Sequence, residues 1–250
     1  MIDFHSHILP GIDDGAADVQ MSLDMLNESY NQGVRIVVAT PHCMPKSEEE
    51  LDLFLKKRKE AYALLVAAAK EDGREFPELL LGCELRVPEE FYKMDRLSEL
   101  CIEGTNYILC EMPYGKWNMN HYDFLYALIL KGFRPIMAHI ERYTDKKKEL
   151  SNLLSLDLLY QVNAGSFLDK QTKRYIPYLF RMGAVQLIGS DMHNLTTRKP
   201  DMKSGADTIA AAYGKERLEM LLYNAKAVLD NEAVIVRRFP KMSFWDIIKL

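Results

Sequence analysis

Short apolar, β-branched runs alternate along the chain with longer segments whose apolar residues recur at helical spacing. The short runs are Ile2 to His5, Arg35 to Thr40, Leu79 to Glu84, Tyr107 to Glu111, Pro135 to His139, Leu159 to Asn163 and Val185 to Ser190. The helical stretches are Asp18 to Gln32, Glu48 to Asp72, His121 to Lys131, Leu150 to Leu156, Thr172 to Met182 and Lys203 to Asn231. Gly33, Gly73, Gly132 and Gly183 each follow such a stretch, where a left-handed residue ends a helix. A strand that returns parallel to its neighbour needs a helical crossover, so this alternation predicts a parallel sheet. Seven such units close more naturally into a TIM-like (β/α)7 barrel than they spread into an open sheet, which stays the alternative.

The 250 residues fit one α/β domain of that size, and no Pro/Gly/Ser-rich linker divides residues 1–250. Lys and Arg number 32 against 36 Asp and Glu, a net charge of −4, which disfavours nucleic acid or an anionic membrane as partner. Met1-Ile2-Asp3-Phe4-His5 is not the start of a signal peptide, and no apolar run is long enough for a bilayer, so a cytoplasmic location is expected. Cys43, Cys83, Cys101 and Cys110 form no C-x-x-C pair and read as reduced thiols. A cysteine-nucleophile phosphatase needs arginine six residues after the cysteine, and here those positions are Glu49, Glu89, Tyr107 and Lys116. Phe244 to Leu250 is amphipathic enough for a packing helix or an interface; the sequence carries no signal that fixes an oligomeric state.

In barrels of parallel strands, reactive groups gather where the strands' C-terminal ends open on one mouth. The predicted strands run into His5-Ser6-His7, Thr40-Pro41-His42, Glu84, Glu111, His139 and Asp191-Met192-His193, and only the sixth ends on an amide, Asn163. A single buried histidine or carboxylate is more often a hydrogen-bonded core residue than a ligand. Coincidence at six strand ends reverses that preference, and leaves His121 as a structural histidine. Histidine and carboxylate without cysteine suit Mn²⁺, Fe²⁺ or Zn²⁺ in sites that keep open positions. Residues two apart on a strand face the same way, so His5 with His7, and Asp191 with His193, can chelate one ion. Glu84 and Glu111 can bridge neighbouring ions.

Asp3-Phe4-His5-Ser6-His7-Ile8-Leu9-Pro10-Gly11-Ile12-Asp13-Asp14-Gly15, Thr40-Pro41-His42, Gly82-Cys83-Glu84, Ala138-His139-Ile140-Glu141-Arg142 and Ser190-Asp191-Met192-His193 resemble the PHP (polymerase and histidinol phosphatase) family across nearly the whole chain. Within it the chain looks most like the bacterial CpsB/CapC-type protein-tyrosine phosphatases of capsule and exopolysaccharide systems. That resemblance implies a distorted seven-stranded barrel, the PHP fold, and three divalent ions, usually manganese. It places His5, His7, Glu84 and Asp191 around the first ion, Glu84, Glu111 and His139 around the second, and Asp14, His42 and His193 around the third. Asp14, where many PHP proteins have histidine, points to the tyrosine-phosphatase branch. Arg142 and Arg198 stand where this branch binds phosphate, although spacing alone fits surface ion pairs equally well. The substrate implied is an autophosphorylated bacterial tyrosine kinase.

The charge of such a centre suits a phosphate ester: three divalent ions over four carboxylates leave about +2, which a bound hydroxide lowers and two arginines raise to about +3. The expected reaction is hydrolysis by a hydroxide bridging the ions, with no protein nucleophile. Asp191 and His193 are conceivable proton donors, although a phenolate leaving group with a pKa of about 10 needs little help. Tyr114 and Trp117 border the mouth, where they either stack on a phosphotyrosyl ring or pack the loop. The rival activities are another phosphoesterase on the same centre (histidinol phosphate, a small phosphomonoester or a nucleic acid), an amidohydrolase-like barrel, and an inactive binding domain. Glu111, where amidohydrolases commonly carry a bridging lysine, and Asp191-Met192-His193 in place of a lone aspartate count against the second.

Overall fold

A computed structural model describes residues 1–89 and 96–234; the stretch from Phe244 to Leu250 lies outside the described residues. In chain order the elements are β1 (Ile2–Ser6), α1 (Val19–Asn31), β2 (Ile36–Ala39), β3 (His42–Cys43), α2 (Glu48–Asp72), β4 (Glu78–Leu81), β5 (Glu84–Arg86) and β6 (Tyr107–Glu111). Then come α3 (Met119–Leu130), β7 (Arg134–Met137), α4 (Lys147–Leu153), β8 (Leu159–Asn163), α5 (Ile176–Arg181), β9 (Leu187–Gly189), α6 (Met202–Tyr213) and α7 (Lys215–Leu229). Short 3-10 turns at Leu97–Leu100, Ile140–Tyr143 and Ala164–Phe167 complete the described elements.

Every described strand pairing is parallel. One sheet runs β1-β2-β4 and the other β3-β5-β6-β7-β8-β9, together a curled, mixed α/β architecture. Beyond the end of β9, Asp191 N donates to His5 O at 2.8 Å, and His7 N donates to Met192 O at 2.9 Å, so the outer strands of the two sheets meet at the mouth.

The runs expected at 35–40 and 79–84 differ from the observed strands in one respect. Each is interrupted, the first at Thr40-Pro41 and the second at Gly82-Cys83, and continues as the short β3 and β5. Pro41 has no N–H to give the ladder. Its carbonyl accepts from Glu84 N at 3.0 Å, while Gly82 N reaches Ala39 O at 2.9 Å, so the strand pair is stitched through the interruption. The expected helix from Lys203 to Asn231 is two helices, because Gly214 adopts φ +95° and turns the chain between α6 and α7. The helix expected from Thr172 begins at Ile176, with proline in its first turn. Gly33, Gly73, Gly132 and Gly183 all have positive φ, as their positions after helices require.

Two apolar clusters hold the molecule. The smaller takes Phe4, Val38, Tyr107, Leu109, Ile136, Leu159 and Leu187 from six strands and meets Ala225 and Val228 of α7. The larger fills the space between strands and helices. On β6, Tyr107 and Leu109 join the smaller cluster while Ile108 and Cys110 join the larger, and Glu111 continues the Tyr107–Leu109 row. Strand alternation thus carries a carboxylate to the mouth directly above apolar packing. The four cysteines are free and buried.

Candidate metal centre

The strand ends bring the expected side chains to one place. His5 Nε2 and His7 Nε2 each lie 3.3 Å from Glu84 Oε2, and His42 Nδ1 lies 3.0 Å from the same oxygen. His139 Nε2 is 2.8 Å from the other oxygen of Glu84 and 3.9 Å from Glu111 Oε2. Asp191 Oδ1 stands 3.4 Å from His5 Nε2 and 3.6 Å from His7 Nε2. At the outer edge, Asp14 Oδ1 lies 3.3 Å from His42 Nε2 and 3.5 Å from His193 Nε2. His5, His7, Glu84, Glu111, His139, Asp191 and His193 are buried; Asp14 is exposed.

Residues that the sequence reading did not single out hold these groups in place. Asp13 Oδ2 lies 2.7 Å from His7 Nδ1 and accepts from His42 N at 3.0 Å. Gln161 Oε1 accepts from His139 N at 2.9 Å and lies 3.2 Å from His5 Nδ1. Gln161 Nε2 in turn donates to Asn163 Oδ1, and Asn163 Nδ2 to Asp191 Oδ2. His193 Nδ1 is 3.0 Å from the carbonyl of Asp191. A carbonyl, amide or carboxylate oxygen can only accept here, so His5, His7 and His193 carry their proton on Nδ1. When neutral, each presents the lone pair of Nε2 inward, the orientation a metal ligand needs. The signal for Asp13 was its place in the opening motif; for Gln161 it was the two-residue spacing from Asn163 on β8.

Backbone geometry serves the same end. A Cβ on Gly15 would stand 2.1 Å from His7 O, so only glycine lets the 13–15 turn fold back against His7. His139 and Asp191 hold φ values of +35° and +55°, left-handed conformations that are uncommon outside glycine and cluster at functional sites.

Three groups of potential ligand atoms lie within 4.8 Å of one another: His5, His7 and Glu84; His7, Asp14, His42 and His193; and His42, Glu84 and Glu111. The first and second contain the expected sets except Asp191. In the third, His42 takes the place given to His139, because its Nδ1 points at both glutamates. Glu84 Oε2, His42 Nδ1, His139 Nδ1 and His193 Nε2 are shut off from solvent yet make no hydrogen bond among the described residues. Burying such atoms unpaired is costly, and divalent cations would satisfy Glu84 Oε2, His42 Nδ1 and His193 Nε2; at His139 it is Nε2, not Nδ1, that faces the glutamates. The donor set therefore fits metal.

The electrostatics agree. Burial disfavours charge on Asp191 and Glu84, but surrounding histidines, joined at Asp191 by Arg142 and Arg198, hold both carboxyls well below their usual range. Burial, and then the charge of Glu84, push Glu111 up in spite of Arg86. Burial together with Arg142 lowers His139 to about 4, and burial with His7 lowers His193 to about 4, so both are neutral at pH 7 and available as ligands. His5 and His7 run the other way: burial opposes a proton on each, but the charges of Glu84 and Asp191 raise His5, and bonding to Asp13 and Glu84 raises His7 to about 10. Without an ion His7 is therefore charged at pH 7 and must give up that proton to ligate one.

Both expected arginines face the mouth. Arg142 bonds Asp191 Oδ2, and Arg198 Nη2 donates to Asp191 Oδ1 at 2.6 Å. A third arginine, Arg86, donates from Nε to Glu111 Oε1 at 2.9 Å and forms an ion pair with the same oxygen, Nη2 lying 2.8 Å from it. Tyr114 is exposed at the rim with the Arg86 guanidinium 5.5 Å from its ring centre. Trp117 is engaged by its own loop: its indole donates to Pro113 O at 2.9 Å and meets Tyr143 edge-on at 5.0 Å. His121 lies apart from the centre, where its Nδ1 accepts from Asn118 N in the capping box of α3.

The family model for capsular polysaccharide synthesis, CpsB/CapC, matches residues 1–230. The tyrosine-protein phosphatase YwqE of Bacillus subtilis is 31% identical over 249 residues, covering 94% of this chain and 93% of that protein. The tyrosine-protein phosphatase CpsB of Streptococcus agalactiae is 29% identical over 248 residues, covering 94% and 100%. A crystal structure from work on YwqE of Bacillus subtilis and CpsB of Streptococcus pneumoniae, described as metal-dependent tyrosine phosphatases, matches with a TM-score of 0.78 at 28% identity. That match covers 96% of this chain and 98% of the other.

Proposed function

The chain belongs to the CpsB/CapC family, and on that footing we propose that it is a metal-dependent protein-tyrosine phosphatase of capsule or exopolysaccharide synthesis. One observation carries the reading: three imidazole nitrogens converge within 3.3 Å of a single carboxylate oxygen, Glu84 Oε2, that no hydrogen bond satisfies among the described residues. We assign metal binding to His5, His7, Asp14, His42, Glu84, Glu111, His139, Asp191 and His193, with three ions, manganese first and iron or zinc as alternatives. Bound divalent ions would supply Lewis acidity, which brings the pKa of coordinated water from 15.7 toward about 7.

The remaining roles belong to the chain's own residues. Arg142 and Arg198 already grip the two oxygens of one carboxylate, and a phosphoryl group offers them an equivalent set of acceptors. They hold the phosphate and spread the charge that grows on its equatorial oxygens. The departing phenolate needs little protonation. His193 keeps its Nδ1 proton on a backbone carbonyl, so we give it and Asp191 ligand roles rather than donor roles. Of the two aromatic residues, Tyr114 has the exposure needed to meet a phosphotyrosyl ring, while Trp117 shapes the loop beside it.

The bonds between β1 and the segment after β9 support reading the curled sheets as one distorted seven-position barrel, and residues 1–250 as one domain. The same reading makes the substrate a phosphotyrosine-bearing protein, an autophosphorylated tyrosine kinase, met in the cytoplasm. No helix of the described residues is long and apolar enough to cross a membrane. Turnover of a phosphotyrosyl peptide, histidinol phosphate and an oligonucleotide by one manganese-loaded preparation tests the assignment. The peptide should be hydrolysed with the highest kcat/KM; preference for either other substrate would replace it.

A further inference from the structure

We propose that Arg86 is a positioning residue that fixes Glu111 for metal binding, and that it does not hold the substrate phosphate as Arg142 and Arg198 do. This rests on the reading of Glu111 as a ligand. Arg86 and Glu111 are direct partners in the parallel register of β5 and β6, and the amide of Val87 bonds the carbonyl of Glu111 at 2.9 Å. The backbone therefore sets their separation. Glu84 and Arg86 share one face of β5, so the arginine stands one layer above a ligand, toward the mouth.

Its guanidinium donates from Nε to Glu111 Oε1 at 2.9 Å and keeps Nη2 in ion-pair contact with the same oxygen at 2.8 Å. This hydrogen bond and charge contact anchor Oε1, and Oε2 is turned toward His139 Nε2 at 3.9 Å. The pair also answers an electrostatic need: Glu84 and Glu111 lie side by side in a buried cluster, and Arg86 offsets the repulsion between them. The Tyr114 ring beside the guanidinium narrows its approach from the rim. Arg142 and Arg198 differ in kind. They converge from separate loops on Asp191, and no strand register ties them to it.

A group that orients a ligand typically contributes 10- to 100-fold to metal affinity, whereas a phosphate-holding arginine acts on substrate. The two roles separate in the Arg86→Gln and Arg86→Lys variants. Calorimetric titration of manganese into metal-stripped protein should show affinity weakened roughly 10- to 100-fold in Arg86→Gln. Arg86→Lys should be only partly restored, because an ammonium lacks the guanidinium's fork. At saturating manganese, KM for a phosphotyrosyl peptide should stay within about twofold of the parent in both variants. Unchanged or tighter manganese binding in Arg86→Gln overturns the proposal, as does a rise in KM of about tenfold at saturating metal. If Arg86→Gln does not fold, Arg86→Lys decides by the same two readings. A parent that binds manganese as well as its variants do overturns the role of Arg86 alone; a parent that binds none overturns the metal centre with it.

Discussion

Asp201, just ahead of α6, has one carboxylate oxygen, Oδ1, shut away from water with no hydrogen bond among the described residues. Burial first, and then the charge of Asp3, raise this group to about 7. Because the folded value exceeds the usual one near 3.8, the stability it lends is fully present below that value and is lost as the pH rises through about 7. Asp201→Asn keeps the shape without the charge. Urea unfolding of metal-stripped protein should find the variant gaining on the parent between about pH 4 and pH 7, then running parallel. A constant difference across that range would contradict the assignment. At this scale the sequence displayed the proposed ligands but not their holders. His5, His7 and Glu84 announce themselves by type and position, whereas Asp13, Gln161 and Arg86 act through hydrogen bonds to groups 6, 156 and 25 residues away.

The turn that carries Asp13 and Asp14 works as one element. Ala16 N bonds His7 O at 3.0 Å, and the absence of a side chain at Gly15 lets the loop lie against His7. Gly15→Ala must push the turn outward and carry both aspartates with it. Since an ångström of misplacement can cost about 100-fold, kcat/KM should fall by something on that order, and the melting temperature of the loaded protein should fall too, because a proposed ligand and the partner of His7 move with the turn. Kinetics equal to the parent's would remove the turn from the site. Strand and helix order was legible, because short apolar, β-branched runs give way to helical spacing at each crossover. The breaks at Thr40-Pro41 and Gly82-Cys83 were not. The expected run at 35–40 stops before Pro41, with no apolar stretch to announce β3, while the run at 79–84 passes through Gly82-Cys83, where the change of hydrogen-bond partner separates β4 from β5. Gly214 was passed over for a similar reason: a glycine inside a periodic stretch is compatible with a continuous helix, and its φ of +95° is set by how α6 and α7 pack.

For the whole molecule, the proposed metal centre would act as a clasp. His5 and His7 at one end of the chain, and Asp191 and His193 near the other, meet Glu84 and Glu111 from the middle. Cations gripping all of them oppose unfolding. Each ion at about 100 times its Kd adds about 2.7 kcal/mol, so one ion alone would give a chain of this length a melting shift of roughly 5–10 °C, the least to expect from the centre. EDTA should lower the melting temperature by at least that amount, and an equal melt with metal removal verified would speak against a shared site. Arg86, Arg142 and Arg198 already neutralise part of the acid cluster, which keeps the stripped protein folded and the shift moderate.

The most direct measurement adds manganese stepwise to metal-stripped protein, and reads bound metal and phosphotyrosine hydrolysis on the same samples. Turnover should be absent at the start and should climb with bound manganese until the sites are full. Full activity in the stripped protein, or none in protein that has taken up its metal, would contradict the account.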